Sequence, residues 1–238
     1  MTSSLHNRVV HAVGQPIVTG QTPAGTVMLS DDVERGQGVS RSVAREAVRV
    51  LASMGLVESV KRVGIRVLPQ SRWNAFDPTL IRWRLDGPDP GAQLRSLTEL
   101  RASVEPMAAE LAAQYCPQPL SAELLTVAAQ MRTAGRAGEL DRFLQLDIQF
   151  HTLVLHGSGN EMFAKLDAVI AAVLVGRTDH GLMPTHPHET ALQWHVDVAD
   201  AIQGGHPEQA RASMDLIMRR TIAEVQSVWA DTPRLYLG

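Results

Sequence analysis

The segment from residue 30 to residue 68 constrains the fold most, because its hydrophobic period changes from that of a helix to that of a strand. Apolar residues recur at helical spacing between Ser40 and Gly55, whereas "LVESVKRVGIRVLP" alternates apolar and polar residues on both sides of an "RVG" stretch. A shorter helical segment begins near Ser30. The segment therefore predicts a short helix, a turn, a second helix with Ser40 as its N-cap, and a β-hairpin.

This segment is basic, although the whole chain has a formal net charge of −3. The first 70 residues contain eight basic and five acidic residues, a net charge of +3, so the remainder carries −6. Arg41, Arg45 and Arg49 fall four residues apart on the second helix, and Lys61 and Arg62 lie at the hairpin tip. The asymmetry indicates a basic module joined to an acidic one.

The order of elements is that of a winged helix-turn-helix, whose recognition helix presents its N-terminal residues to base edges in the major groove of DNA. Arginines at this spacing are by themselves more often a solvated stripe, paired here with Glu46 and its neighbours. The order of helix, turn, arginine helix and basic wing is more specific than the charge. The predicted DNA contacts are Ser40, Arg41, Ser42, Arg45, Arg49, Lys61, Arg62 and Gly64.

After Pro69 the pattern changes to a connector rich in Trp, Pro and Asp, and from about Ala92 helical periodicity dominates. We expect a mainly α protein with a winged helix-turn-helix domain in residues 1–70, a linker in 71–90, and an all-helical bundle of six or seven helices in 91–230. No apolar run is long enough for a membrane helix, and no secretory pattern is found at the N-terminus. A cytoplasmic protein without a membrane partner is expected.

The stretch "LQLDIQFHTLVLHGSGN" places Asp147 and His151 four residues apart within an apolar run. This spacing brings their side chains to one helix face, where they supply half of a divalent-metal site. A further ligand must come from another helix, and His195 in "ALQWHVDVADAIQGG" is the candidate. A buried, hydrogen-bonded Asp–His pair is the alternative interpretation.

Two parts of the chain resemble one known family. "VSRSVAREAVRVLASMGLVESVKRVGIRV" resembles the DNA-binding domain of GntR-superfamily repressors, although "MLSDDVERG" has Asp where many members have a DNA-contacting Arg. "LDIQFHTLVLHGSGN" and "WHVDVADAIQGGHPEQARASM" are similar to the all-helical FCD ligand-binding domain of FadR-type members. The resemblance implies that Asp147, His151 and His195 bind a divalent metal of the Zn, Ni or Mn class. Ile217 occupies the position of a third family His.

"RWNAFDPTLIRWRL" and "LTELRASVEPMAAELAA" are similar to the subgroup that includes the galactonate operon repressor. Arg101 and Glu105 form an ordinary i,i+4 pair by spacing, but the resemblance implies that Arg101 binds an effector carboxylate. Gln149 stands where the subgroup can have Arg, so we expect a different aldonate or another small hydroxy acid. The predicted effector contacts are Arg101, Glu105, Gln149 and Arg177.

These features predict a homodimeric repressor of a sugar-acid catabolism operon, which binds an inverted-repeat operator and is released by a small carboxylate. One alternative is a metal-dependent enzyme acting on a small hydroxy acid, because an open Asp/His/His site can activate water. The sequence offers no Glu or Asp at an obvious spacing for a general base at this site, which argues against the enzyme. A second alternative is a structural or adaptor protein whose metal only holds the bundle together.

Overall fold

The computed structural model describes residues 5–234, which form two compact units. The first unit extends to Pro90, and the second comprises residues Gly91–Pro233. The first has its own hydrophobic core, which includes Val9, Ala47 and Leu56. The core of the second includes Phe150 and Leu174. None of the described helices combines the length and apolar character needed to span a membrane.

The first unit is a winged helix-turn-helix, as the sequence predicts. A three-stranded antiparallel sheet in the order β1-β3-β2 forms the wing. Strand β1 was not predicted, since two residues are too few to show an alternating pattern. The elements are α1 (Leu5–Val18), β1 (Val27–Met28), α2 (Ser30–Gln37), α3 (Arg41–Ser53), β2 (Val57–Val60), β3 (Gly64–Val67), a 3₁₀ turn (Gln70–Arg72) and α4 (Pro78–Leu85).

Helix α3 begins and ends where its sequence indicates. The Ser40 hydroxyl caps it by accepting a hydrogen bond from the backbone N–H of Val43 at 3.5 Å. Gly55 follows its last turn with φ of 74°, and a Cβ there would lie 2.2 Å from the carbonyl oxygen of Arg72. A glycine is therefore required where the chain leaves α3 and enters the wing.

Residues 71–90 contain helix α4, whereas the sequence predicts a linker there. The Asp77 carboxylate caps α4 by accepting hydrogen bonds from the N–H groups of Thr79 at 2.9 Å and Leu80 at 3.0 Å. The Trp83 indole N–H donates to Nδ1 of His11 in α1 at 2.9 Å. Leu80 and Trp83 belong to the core of the first unit, so this segment is part of that unit. An eight-residue helix is too short for a clear hydrophobic period.

The second unit contains seven α-helices and, among residues 91–233, no strand, as predicted. Helix α5 packs against α7 and α11, and α10 packs against α6 and α11, so these helices enclose the interior of the bundle. The helices are α5 (Gly91–Tyr115), α6 (Gln118–Ala137), α7 (Leu140–Gly157), α8 (Glu161–Ala164), α9 (Asp167–Asp179), α10 (Glu189–Gln203) and α11 (Pro207–Val225), followed by a 3₁₀ turn (Gln226–Trp229).

The contact between α1 and α4 predicts that Gly14→Ala destabilises the first unit. A Cβ at Gly14 would lie 2.4 Å from the Trp83 ring and 2.9 Å from Leu51 Cδ2. Overpacking of this kind costs about 1–3 kcal/mol, which exceeds the gain of at most about 1 kcal/mol in helix propensity. Hydrogen exchange of the α1 and α3 amides in the full chain measures the effect.

Gly36→Ala is the matched control, because a Cβ at this helical glycine meets nothing within 4 Å. The control should be neutral or should stabilise α2 slightly. Equal protection of α1 in the two variants would show that the Gly14–Trp83 contact does not constrain the unit.

Candidate functional site

Three helices of the second unit bring ionisable side chains together in its interior. Arg101 and Glu105 come from α5, Asp147 and His151 from α7, and His195 from α10. Each is at most 6% exposed. Burial of this many ionisable groups costs free energy unless they contact one another or a ligand.

Glu105 holds both Arg101 and His151. Nε of Arg101 donates to Oε1 of Glu105 at 2.6 Å, and Nη2 donates to Oε2 at 3.3 Å. Nδ1 of His151 lies 2.7 Å from Oε2, although the two groups are not aligned for a good hydrogen bond. Burial alone would raise the pKa of Glu105, but the charges of Arg101 and His151 lower it to about 2. Burial disfavours the charged ring of His151, yet the carboxylates of Glu105 and Asp147 together outweigh burial and raise the pKa of this ring.

Asp147, His151 and His195 form a cluster with the donor set of a metal site. Each offers one ligand atom, and the three atoms lie within 4.8 Å of one another. Oδ1 of Asp147 is 3.2 Å from Nε2 of His151 and 3.7 Å from Nε2 of His195. One carboxylate oxygen and two imidazole nitrogens at these separations fit a single divalent transition ion.

The surroundings of Asp147 and His195 favour the forms of these two side chains that bind a metal. Nδ1 of His195 lies 2.8 Å from the carbonyl oxygen of Ala191, to which it donates in the tautomer that leaves Nε2 free for a metal. Burial lowers the pKa of His195, which favours this neutral ring. Burial would raise the pKa of Asp147, but its hydrogen bond to His151 and the charge of that ring lower it to about 2. Phe150 contacts the rings of His151 and His195 edge to face, which fixes their orientation.

A cavity adjoins this cluster. Its volume, including its mouth, is about 500 Å³. Nη1 of Arg101 and Nε of Arg177 are buried without a hydrogen-bond partner, and both residues line the cavity. Burial and the charge of Arg101 lower the pKa of Arg177 to about 10, so its guanidinium remains charged at neutral pH. The cavity therefore presents two buried cations to a ligand.

Two of the predicted effector contacts lie outside the cavity. Glu105 is fully buried behind Arg101 and does not line it. Gln149 is exposed, and its Nε2 donates to Oε1 of Glu123 at 2.9 Å. A residue two positions after Asp147 is turned about 200° around the helix, so it faces away from the cluster. Both expectations are corrected: Glu105 orients its neighbours and Gln149 is a surface residue, whereas Arg101 and Arg177 line the cavity.

The wall contributed by α11 was not found from the sequence. Ile217, Arg220, Thr221 and Glu224 line the cavity at helical spacing. Oε2 of Glu224 accepts from Nη2 of Arg177 at 3.3 Å, and Oε1 accepts from Nε of Arg220 at 2.8 Å. Only the helical spacing of these four residues could have indicated that they share one face of α11. The Arg220–Glu224 pair gives no such signal, because Arg–Glu pairs four residues apart are common on helix surfaces.

The predicted DNA contacts lie on the first unit. Arg41, Ser42 and Arg45 are exposed on α3, and neither arginine makes an ion pair or side-chain hydrogen bond within residues 5–234. Arg49 is paired with Glu46 on the same helix. Two arginines of the stripe are therefore free to contact a partner.

The tip of the wing is also exposed at Lys61 and Arg62. Arg62 has φ of 64°, an uncommon conformation for a residue with a side chain. A Cβ at Gly64 would lie 2.6 Å from the carbonyl oxygen of Met28, so the pairing of β1 with β3 requires glycine at this position whether or not DNA is bound.

Two family descriptions match this chain. "Bacterial regulatory proteins, gntR family" matches residues 5–67, and "FCD domain" matches residues 96–220, more than half of the chain. The chain belongs to the GntR family of bacterial regulators with an FCD domain. Proteins of this family are transcription regulators, not enzymes. The family assignment thus argues against the enzyme alternative.

Three relatives match the regulator over most of their own length. It is 28% identical over 211 residues to the uncharacterized HTH-type transcriptional regulator YieP of Escherichia coli (strain K12), covering 87% of this chain and 89% of that protein. It is 26% identical over 232 residues to the galactonate operon transcriptional repressor of the same organism, covering 94% and 100%. It is 23% identical over 202 residues to a probable D-xylose utilization operon transcriptional repressor of Paenarthrobacter nicotinovorans, covering 83% and 78%.

Solved structures support the fold of the regulator. Lar of Listeria monocytogenes matches with a TM-score of 0.58 and 14% identity, and E. coli McbR/YncC matches with 0.54 and 19%. Each match covers 95% of this chain and 99% of the other. At these identities the likeness extends to the fold alone.

Ile217 provides a test of the metal site, since it lines the cavity and occupies the position of a third family His. Ile217→His should supply a fourth ligand and complete a tetrahedral zinc site. We expect the dissociation constant for Zn²⁺ to fall at least about tenfold, equivalent to roughly 1.4 kcal/mol. A competition titration against a chelating indicator measures it.

Ile217→Leu is the control, because it preserves the apolar volume and adds no ligand atom. Equal Zn²⁺ affinity of the His and Leu variants would show that position 217 does not face the ion.

Proposed function

We propose that the regulator is a homodimeric repressor of an operon for a sugar acid or a related hydroxy acid. It binds an inverted-repeat operator and dissociates when a small carboxylate occupies the cavity of the second unit. The observation that carries the proposal is the unpartnered Nη1 of buried Arg101 in a cavity beside Asp147, His151 and His195. The likeness to the galactonate operon repressor supports a sugar acid as effector, and the likeness to the probable D-xylose utilization repressor supports control of sugar catabolism.

Asp147, His151 and His195 are proposed to hold a divalent ion of the Zn, Ni or Mn class. The ion would attract an oxygen atom of the effector. With Ile217 supplying no ligand atom, three protein ligands leave coordination positions for water or effector oxygens. Glu105 contributes by fixing the ring of His151.

Arg101 is proposed to bind the effector carboxylate. Its Nε and Nη2 are held by Glu105, which leaves Nη1 directed to no protein partner. The guanidinium is thus held in position before the ligand arrives, and little side-chain entropy is lost on binding. An anion that accepts from Nη1 satisfies a buried donor that otherwise lacks a partner.

The effector weakens operator binding because it binds the free regulator more tightly than the DNA-bound regulator. The loss in the free energy of operator binding equals the difference between these two binding free energies. Arg41 and Arg45 are proposed to carry most of the operator affinity from α3, with Ser40 and Ser42 at the same helix end. Lys61 and Arg62 are proposed to contact the DNA backbone through the wing.

Arg45→Ala should weaken operator binding more than Arg49→Ala does. Arg45 is exposed without a protein partner, whereas Arg49 already pairs with Glu46 and must leave that pair to contact DNA. We expect about a tenfold loss or more for Arg45→Ala, the lower end of the range for an arginine–base contact. Fluorescence anisotropy with a labelled upstream fragment at fixed salt measures it.

Arg142→Ala is the matched control, because Arg142 is an exposed arginine of the second unit that pairs only with Glu139. If Arg142→Ala weakened operator binding as much as Arg45→Ala, the assignment of α3 as the recognition helix would be wrong.

The double variant Arg101→Gln/Glu105→Gln should bind operator normally but no longer release it with effector. Removing both charges avoids leaving Glu105 buried and unpaired, which would destabilise the bundle. Loss of a charge-assisted hydrogen bond of this kind weakens effector binding roughly tenfold to hundredfold. Operator release by an aldonate series, followed by anisotropy, measures the effect.

Arg142→Gln is the control, since Arg142 is an exposed arginine of the same unit that does not line the cavity, so this variant should still release operator with effector. Release of the double variant at wild-type effector concentrations would refute the role of Arg101. A purely structural metal predicts a different result: chelation would melt the second unit, while effector never changed operator binding in the metal-loaded protein.

A further inference from the structure

The cavity wall formed by α9 and α11 contains two guanidinium groups that share one carboxylate. Arg177 and Arg220 both donate to the carboxylate of Glu224, at 3.3 and 2.8 Å. Glu224 can neutralise only one of them, so this wall retains one positive charge. Arg177 is 3% exposed and Arg220 and Glu224 are partly buried, so solvent screens this charge weakly.

We propose that the effector carries two acidic groups, and that Arg177 and Arg220 bind the second one. The regulator then senses a dicarboxylate of the aldarate type in preference to the monocarboxylate with the same carbon skeleton. This inference rests on the function proposed above, because it assigns the first acidic group to Arg101.

The two most deeply buried arginines that line the cavity, Arg101 and Arg177, are held by different carboxylates. Arg101 is paired with Glu105 and Arg177 with Glu224, and no side chain of residues 5–234 bridges the two guanidinium groups. Each nevertheless retains one buried N–H without an acceptor, Nη1 in Arg101 and Nε in Arg177. Two separately held cations, each with a spare donor, match a ligand with an acidic group at each end.

A monocarboxylate leaves the spare donor of Arg177 unsatisfied. Its other end would place a neutral hydroxyl beside a wall with an uncompensated positive charge, where an anion is favoured. Burial and the charge of Arg101 lower the pKa of Arg177 more than the carboxylates of Asp147 and Glu224 raise it, so these carboxylates do not fully compensate its guanidinium. The narrow cavity favours a short carbon chain, and the Thr221 hydroxyl in the same wall can contact a hydroxyl of the ligand.

Two matched ligand pairs test the proposal on the metal-loaded full chain. Galactonate and galactarate differ only in the oxidation of one terminal CH₂OH to carboxylate, and threonate and tartrate differ in the same way on a shorter chain. Isothermal titration gives each affinity. We expect the diacid of at least one pair to bind roughly tenfold to hundredfold more tightly than its monoacid, the range for a charge-assisted hydrogen bond.

Arg177→Gln should abolish this preference, because it lowers diacid affinity roughly tenfold or more relative to monoacid affinity. Arg177→Lys keeps the charge and should retain part of the preference, and Arg142→Gln, an exposed control, should retain all of it. Circular dichroism and Zn²⁺ titration establish that each variant is folded. If Arg177→Gln does not fold, the wild-type affinity ratios decide by themselves.

The outcomes separate this inference from the proposed function. Equal or tighter binding of both monoacids overturns the second acidic subsite, while the role of Arg101 as a carboxylate receptor survives. A preference for the diacid that persists in Arg177→Gln also overturns it, because another residue must then read the second group. Binding of none of the four acids overturns both the subsite and the proposed function.

Discussion

The buried contact of Glu105 with Arg101 and His151 is the interaction on which the second unit depends most. Glu105 is 0% exposed, and it joins α5 to α7 through two charged partners. Loss of one member of such a pair costs about 3–5 kcal/mol, because the other charge stays buried without compensation. The same contact leaves Nη1 of Arg101 without a protein partner and holds the ring of His151 beside Asp147. Stability and recognition therefore rest on one carboxylate that touches no ligand itself.

A cavity built in this way has its charges fixed before a ligand binds. Glu105 holds Arg101, Glu224 holds Arg177, and the carbonyl oxygen of Ala191 holds His195. In an interior of low effective dielectric constant, charges held in place attract a complementary anion more strongly than mobile surface charges do. Arg101 and Arg177 each retain one buried N–H without a protein partner, and such donors favour an anionic ligand.

The sequence predicts those features that repeat or that lie within one helix turn. The change of hydrophobic period identified the winged helix, and the four-residue spacing placed Asp147 and His151 on one face. Gln149 was misplaced because alignment with a family motif ignores its position around the helix, where it faces solvent. Glu224 and the docking of α4 were missed because they depend on contacts between residues distant in sequence, such as Trp83 with His11. No local pattern encodes such contacts.

Arginines serve the two units in opposite physical environments. Those on α3 are exposed and largely unpaired, so their attraction for a phosphate backbone is screened by salt and adds to affinity without fixing a single geometry. Those in the bundle are buried and held by carboxylates, so they act at short range and discriminate by the position of each acceptor. A regulator needs both properties, since it must find its operator among many similar duplex sites and yet respond to one small anion among many. Few arginines of α3 have a carboxylate partner, whereas each arginine in the cavity has one. One chain thus combines exposed arginines suited to DNA with buried arginines suited to a small anion.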